Sequence, residues 1–253
     1  MSPVMHRAAY AALGLDWVYD AHDVPEGSLG RFVDDLVEWR GLSVTAPLKR
    51  EALALADATD EVAALTGAAN TLVHADGRVE AANTDVPGAV AALLERGIGP
   101  VPLVRVLGGG ATAASTAHAV ARLGAERLEL VVRDRARAAE AASAGERAGL
   151  EVVVHTLDEP MVDVADLLVA SVPGGSFAGR SHELAESAHA VFDVAYDPWP
   201  SRLVAAAQEE GRPTVTGLDL LAHQAVLQVR LMTGHDVDVD LLRDAALTTV
   251  ASR

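Results

Sequence analysis

The segment Leu103-Val104-Arg105-Val106-Leu107 runs directly into Gly108-Gly109-Gly110-Ala111-Thr112-Ala113, and nothing else in the 253 residues restricts the fold as much. An apolar strand, a GxGxxA turn and an alanine-rich segment predicted to be a helix over 112–123 form the first half of a βαβ unit. Gly108 permits the tight turn, Gly110 lets the backbone approach a pyrophosphate, and small Ala113 lets the helix pack on the strand while its first amides face phosphate oxygens. Gly108, Gly109, Gly110, Ala111 and Thr112 are therefore the candidate cofactor-binding residues of this turn. Apolar strands at 127–132, 151–154, 167–171 and 191–194 continue the alternation, which predicts a parallel sheet covered by helices.

The second strand ends at Arg133, where NAD-binding proteins usually place the carboxylate that holds the ribose hydroxyls. Arg133, Arg135 and Arg137 instead form a cationic cluster, which suits the additional phosphate of NADP. Two alternatives stay open at this position. Asp134 could read the ribose directly, as NAD would require, or the arginines could pair with Glu140 and its neighbours on a solvated helix start.

Ahead of this unit the sequence predicts a helix over 3–12, a strand over 17–21, a helix over 27–39 and a strand over 42–44, and the last forty residues read as helical. An α/β class follows, with two α/β domains and a cleft between them. The composition agrees with a soluble globular chain, with 50% hydrophobic and 4% aromatic residues and a core expected to be aliphatic. A formal charge of −16 disfavours nucleic acid and anionic membranes. No apolar run approaches the ~20 residues of a membrane span, and the first residues lack the features of a signal peptide, so a cytoplasmic protein is expected. The absence of cysteine excludes disulfides and thiolate sites, and the histidine spacing suggests no metal.

Lys49 is the only lysine beside nineteen arginines. Arginine stays charged at any working pH, whereas an ammonium can give up and regain a proton, so a proton-transfer role explains the exception. Gly41 to Glu51 reads as a short strand turning into a helix, with Thr45 as cap and Pro47 at an early helical position, which puts Lys49 in the first turn. A cation there opposes the helix dipole at a cost of a few tenths of a kcal/mol. Asp85 follows a hairpin of 71–74 and 78–81 around Asp76-Gly77 and precedes a helix. It is either a plain helix cap or a partner that holds the Lys49 ammonium.

Six segments, in order, resemble the shikimate dehydrogenase family. Ser2-Pro3-Val4-Met5-His6 is similar to the end of the SxSPxxH element, Ser43 to Lys49 to NVTxPxK, and Gly67 to Thr71 to GAxNT. Asn83 to Gly88 is similar to NTDxxG, Phe192 to Pro198 to DxxYxP, and Gly217 to Ala225 to the GxxMLxxQA helix. The resemblance implies NADP-dependent, reversible reduction of 3-dehydroshikimate to shikimate on the route to aromatic amino acids, by a monomer or homodimer. It implies Lys49 and Asp85 as the catalytic pair, with Ser2, Thr45, Asn70, Tyr196 and Gln224 on the substrate. Gly217 would lie near the nicotinamide, and Arg133 and Arg137 on the cofactor phosphate. Residues 1–86, completed by 219–253, would form the substrate domain, and 87–218 the NADP-binding domain.

The sequence departs from the family pattern at several points. It enters the first element partway, so the family's earlier strand and first serine fall outside this sequence; an unpaired sheet edge is expected if the chain starts at Met1, and a start site further upstream is the expected explanation otherwise. Ser43 replaces an asparagine, Ala111 a glycine, and Val172-Pro173-Gly174-Gly175 an Asn/Thr-rich loop. An NAD-dependent quinate or shikimate dehydrogenase, and a nucleotide-binding paralogue without turnover, remain as alternatives.

Overall fold

The computed structural model describes residues 1–252, with the backbone alone at Ala178. The chain forms two compact units, residues 1–88 with 221–249, and residues 89–220 with the segment from 250.

In the first unit α1 (Ser2–Ala12), α2 (Leu29–Asp34), β1 (Gly41–Ser43), α3 (Lys49–Ala54), β2 (Ala58–Thr59), α4 (Glu61–Thr66), β3 (Thr71–Ala75) and β4 (Arg78–Ala82) follow in order. The sheet order is β1-β3-β4-β2, with β1 and β4 antiparallel to β3 and β2 parallel to β4. Asp76 and Gly77 both adopt positive φ (51° and 73°), the backbone of a type I′ turn whose twist matches the β3–β4 hairpin. Leu29, Val44, Leu48, Ala52, Ala63, Ala69, Leu72 and Ala81 make the core, and the small residues among them let helices sit close on the sheet. Helix α5 (Asp85–Glu95) then leads out of this unit.

The second unit contains β5 (Leu103–Leu107), α6 (Ala111–Ala121), β6 (Arg127–Val132), a 3-10 turn at Arg135–Ala138, α7 (Ala139–Arg147), β7 (Glu151–Thr156), β8 (Ala165–Ala170), α8 (Ser181–Glu186), β9 (Ala188–Asp193), α9 (Arg202–Glu209) and β10 (Thr214–Thr216). All strands are parallel, in the order β10-β9-β8-β5-β6-β7. Strand order reverses between β5 and β8, the switch point at which such sheets bind ligands beyond their carboxyl ends. The sheet also buries an ion pair. Arg105, 1% exposed, stands in register with Glu129 on β6 and donates to its Oε2 from Nε and Nη2 at 2.9 and 2.8 Å. Its remaining donors reach the carbonyls of Asp163 (2.8 Å) and Ser187 (3.3 Å).

The chain closes with α10 (Gly217–Thr233) and α11 (Val239–Ala251), as the helical reading of the last forty residues expected. No helix among the described residues is long and apolar enough to cross a membrane.

Four local expectations are corrected. Residues 17–21 are not a strand, although they keep a strand's alternation, with Trp17 and Tyr19 partly buried and Val18 86% exposed. A strand needs a ladder partner, and this segment has none among the described residues; it is held instead by Trp17 against Tyr10 and Tyr19 stacked on His6. The expected helix over 27–39 shrinks to α2, because Asp34, Asp35 and Glu38 crowd acidic charge onto its carboxyl end. Thr45 and Pro47 sit in a turn before α3, which starts at Lys49 without a side-chain cap. Strand β10, only three residues of Thr-Val-Thr, escaped the pattern reading because so short a segment has no measurable period.

Candidate active site and nucleotide turn

Lys49 is the first residue of α3, and the backbone around it is pinned by Val44 N–H to Asn70 O (2.7 Å) and Ala69 N–H to Lys49 O (2.9 Å). Its Nζ lies 2.6 Å from Asp85 Oδ2, with side-chain exposures of 23% and 14%. The pair is thus largely withdrawn from water yet open on one side. Asp85 is not the plain helix cap. Asn83 Oδ1 accepts from the amides of Asp85 (3.0 Å) and Val86 (3.3 Å), which frees the Asp85 carboxylate to face inward.

Asp85 Oδ1 accepts from Asn70 Nδ2 at 2.9 Å, and the same nitrogen reaches Gln224 Oε1 at 3.1 Å. The orientation of the Asn70 amide follows from the backbone: Thr84 N–H, which can only donate, points at Asn70 Oδ1 at 2.8 Å. Gln224 consequently turns its oxygen to Asn70, and its NH₂ faces away from Asn70. A Cβ at Gly88 would fall 2.9 Å from Gln224 N, so a glycine is needed where α5 passes α10.

Lys49, Asp85, Asn70 and Gln224 are therefore brought into one hydrogen-bonded group. Ser2 lies at the start of α1, near the Tyr19 hydroxyl, whose pKa burial raises more than Ser2 lowers it. Thr45 is exposed in the turn before α3, and Tyr196 is half-buried beyond β9 in the second unit.

Several buried groups behind this site were not singled out from the sequence: Gln228, His6, Thr71 and Thr84. Gln224 and Gln228 are one turn apart on α10, and two glutamines at i, i+4 on a largely apolar helix were the available signal. Burial pushes the His6 imidazole down to about 4, against the raising effect of its hydrogen bond with Gln228. The unfolded chain therefore binds more protons than the folded one between pH 6.5 and about 4. This contribution to stability, on the order of 2–3 kcal/mol, is complete above pH 6.5 and is lost as pH falls through that window. Melting curves from pH 4 to 7.5 should show a steeper acid decline for the native chain than for His6→Gln; parallel curves would contradict the burial effect.

In the second unit the three glycines of the nucleotide turn have different reasons. Gly108 has φ +120°, and a Cβ there would lie 2.4 Å from Ser171 Oγ at the end of β8. A Cβ at Gly109 would lie 2.5 Å from Arg137 O. At Gly110, the residue before α6, a Cβ would meet no protein atom within 4 Å, and α6 begins without a side-chain cap, with Ala111 and Thr112 exposed. Its first amides therefore have no side-chain acceptor at the cap. Gly110→Ala should leave thermal stability unchanged but weaken NADPH binding about tenfold or more, through crowding of the ligand. Gly109→Ala should lower stability by about 1–3 kcal/mol, because backbone must move. Fluorescence titration and calorimetry separate the two, and equal effects at both positions would refute the distinction.

The arginine cluster also divides. Asp134 Oδ1 accepts from Ala136 N–H at 3.0 Å, so this carboxylate caps its own turn. Arg135 is bonded to the Val154 carbonyl and to Glu159. Hydrogen bonds from Thr156, Arg135 and His155 hold the Glu159 carboxyl down at about 2. Arg133 and Arg137 are exposed. Gly217 opens α10 where a Cβ would lie 2.1 Å from Val194 O, so close approach of two backbones requires the glycine.

A doubly wound sheet with an open glycine turn, carried on the same chain as a sheltered amine–carboxylate pair, is the layout of a two-domain nicotinamide-dependent dehydrogenase. The sequence pattern of the shikimate dehydrogenase substrate binding domain matches residues 1–72, and that of the shikimate 5'-dehydrogenase C-terminal domain matches residues 217–247. The shikimate dehydrogenase (NADP(+)) of Rubrobacter xylanophilus is 38% identical over 256 residues, which cover 97% of this chain and 90% of the relative. Shikimate dehydrogenase of Mycobacterium tuberculosis superposes with a TM-score of 0.88 at 35% identity, over 98% of this chain and 94% of that one. Shikimate 5-dehydrogenase of Thermus thermophilus, solved with NADP(H) and shikimate, superposes with a TM-score of 0.83 at 34% identity, over 98% and 94%. The chain belongs to the shikimate dehydrogenase family.

Proposed function

We propose that this protein catalyses the reversible, NADP(H)-dependent interconversion of 3-dehydroshikimate and shikimate. The observation that carries the reading is the 2.6 Å Lys49–Asp85 pair joined through Asn70 to Gln224, on a chain that belongs to this family. The residues of the second unit fit a dinucleotide. Gly110 presents a face without a side chain, the α6 amides lack a cap, and exposed Arg133 and Arg137 supply cationic donors suited to a ribose phosphate. Asp134, engaged with its own backbone, is poorly placed to serve as the ribose carboxylate that NAD requires.

NADPH held by these residues would supply the hydride that the substrate's carbonyl carbon takes up, and would leave as NADP+. Lys49 gives a proton to the carbonyl oxygen, so the C=O π bond is replaced by one C–H and one O–H bond. In the reverse direction the unprotonated amine of Lys49 accepts the hydroxyl proton. Asp85 holds the amine at that oxygen. Asn70 and Gln224 offer amide groups to the ring hydroxyls, while Ser2, Thr45 and Tyr196 supply hydroxyl groups for the rest of the substrate. Gly217 keeps the start of α10 free of a side chain where the nicotinamide would pass.

Nicotinamide absorbance with shikimate as substrate tests the reading. A higher kcat/KM with NADP than with NAD is expected. A preference for NAD would overturn the cofactor assignment, and NADPH binding without turnover would reduce the protein to a nucleotide-binding module.

A further inference from the structure

Behind Asn70 a chain of buried polar groups runs back through the first unit with a single hydrogen-bond direction. Gln228, 3% exposed, donates from Nε2 to Asn70 O at 3.2 Å and to Thr71 Oγ1 at 3.0 Å. Its Oε1 accepts from Ser43 Oγ at 2.8 Å and lies 3.1 Å from His6 Nε2. Thr71 Oγ1 passes the direction on by donating to Asn70 Oδ1 at 2.9 Å. The far end is His6 Nδ1, 3.3 Å from Tyr10 Oη.

The polarity of this chain is fixed at its Asn70 end by two backbone groups. A carbonyl can only accept, so Asn70 O requires the NH₂ of Gln228 to face it. Gln228 Oε1 must then face Ser43 and His6, His6 must carry its proton on Nε2, and Nδ1 is left to accept from Tyr10. Reversing the Gln228 amide would set its oxygen against the Asn70 carbonyl, two acceptors in contact within a buried site. On the side chain of the same residue, Thr84 N–H requires Asn70 Oδ1. With Gln228 in place, Asn70 is held from its carbonyl, through Thr71 at its side-chain oxygen, and from the Thr84 amide, and its NH₂ is left facing Asp85, Gln224 and Thr84 Oγ1.

We propose that Gln228 is a positioning residue of the active site, which holds Asn70 so that its amide fixes the Asp85 carboxylate under Lys49 and orients Gln224. The inference rests on the Lys49–Asp85 reading above. Gln228 touches neither Lys49 nor Asp85, and it acts through Asn70 and Thr71. Misdirecting Asn70 displaces the proton-donating pair without altering the nucleotide turn. The loss should therefore appear in kcat, with little change in the KM for NADP.

The test is a double-mutant cycle on purified, folded protein. Gln228→Leu is expected to lower kcat about tenfold or more in the native background and by less than about threefold in a Lys49→Ala background, because its effect passes through a pair already broken. Thr71→Val, nearly isosteric, interrupts the same chain if Gln228→Leu does not fold, and the same non-additive pattern is expected of it. Equal losses in both backgrounds, or native kcat in the folded single variants, would overturn the positioning role. Lys49→Ala with native turnover would instead remove the catalytic reading on which it rests, so the two failures are distinguishable.

Discussion

Lys49→Ala is expected to lower kcat by ~10²-fold or more, while NADPH binding stays within about twofold of native. The rate loss corresponds to at least about 2.7 kcal/mol of transition-state stabilisation. The expected split follows from where the residues sit. Lys49 and Asp85 belong to the first unit, and the glycine turn with Arg133 and Arg137 belongs to the second. Lys49→Arg provides the sharper comparison. A guanidinium keeps the positive charge beside Asp85 but does not release a proton at working pH, so it should rescue little if the amine transfers one. Steady-state rates with NADP and shikimate, together with a fluorescence titration of NADPH, check both variants. Near-native turnover of Lys49→Arg would mean that only charge is needed, and a matched collapse of NADPH binding would mean that the residue is structural.

The second large effect concerns stability. Arg105→Met should destabilise the second unit by about 3–5 kcal/mol, because among the described residues it leaves the buried Glu129 carboxylate with only Arg127 Nη2 as a cation, 3.5 Å from its other oxygen. The carbonyl of Asp163 loses its arginine donor as well, while that of Ser187 keeps the Ala165 amide at 3.0 Å. For a chain of this size that corresponds to a fall of roughly 6–20 °C in the melting temperature of that unit. The double variant Arg105→Met with Glu129→Leu should recover most of the loss, because removing both partners leaves no stranded charge. Differential scanning calorimetry measures both. A double variant no better than Arg105→Met would show that the carbonyl contacts, rather than the ion pair, carry the energy.

The nucleotide-binding unit was the more legible half. Its central strands β5, β6, β8 and β9 are largely buried and read as short apolar runs, and the glycine turn marks the junction at β5 and α6. The sole lysine was equally visible, because composition alone isolates it. The polar groups around it were harder. His6, Gln228 and Thr71 lie in separate stretches of sequence, and no periodicity relates a histidine on α1 to a glutamine on α10. The segment at 17–21 shows the opposite failure, since its alternation is correct but hydrogen-bonding partners decide whether an alternating segment becomes a strand. Arg105 was read as one more strand position, and only burial next to Glu129 reveals its role.

Hydrophobic periodicity, turn glycines and one exceptional lysine were enough to determine the class of fold, the nucleotide turn and one candidate catalytic group. These are local properties, set by the backbone preferences and spacing of neighbouring residues. What frees the Asp85 carboxylate to meet the lysine, which asparagine oxygen faces which amide, and what ties Arg135 to its neighbours were decided only in three dimensions. Those outcomes depend on hydrogen-bond partners supplied by remote segments, and a buried polar group takes its orientation from whichever donor or acceptor the fold brings beside it.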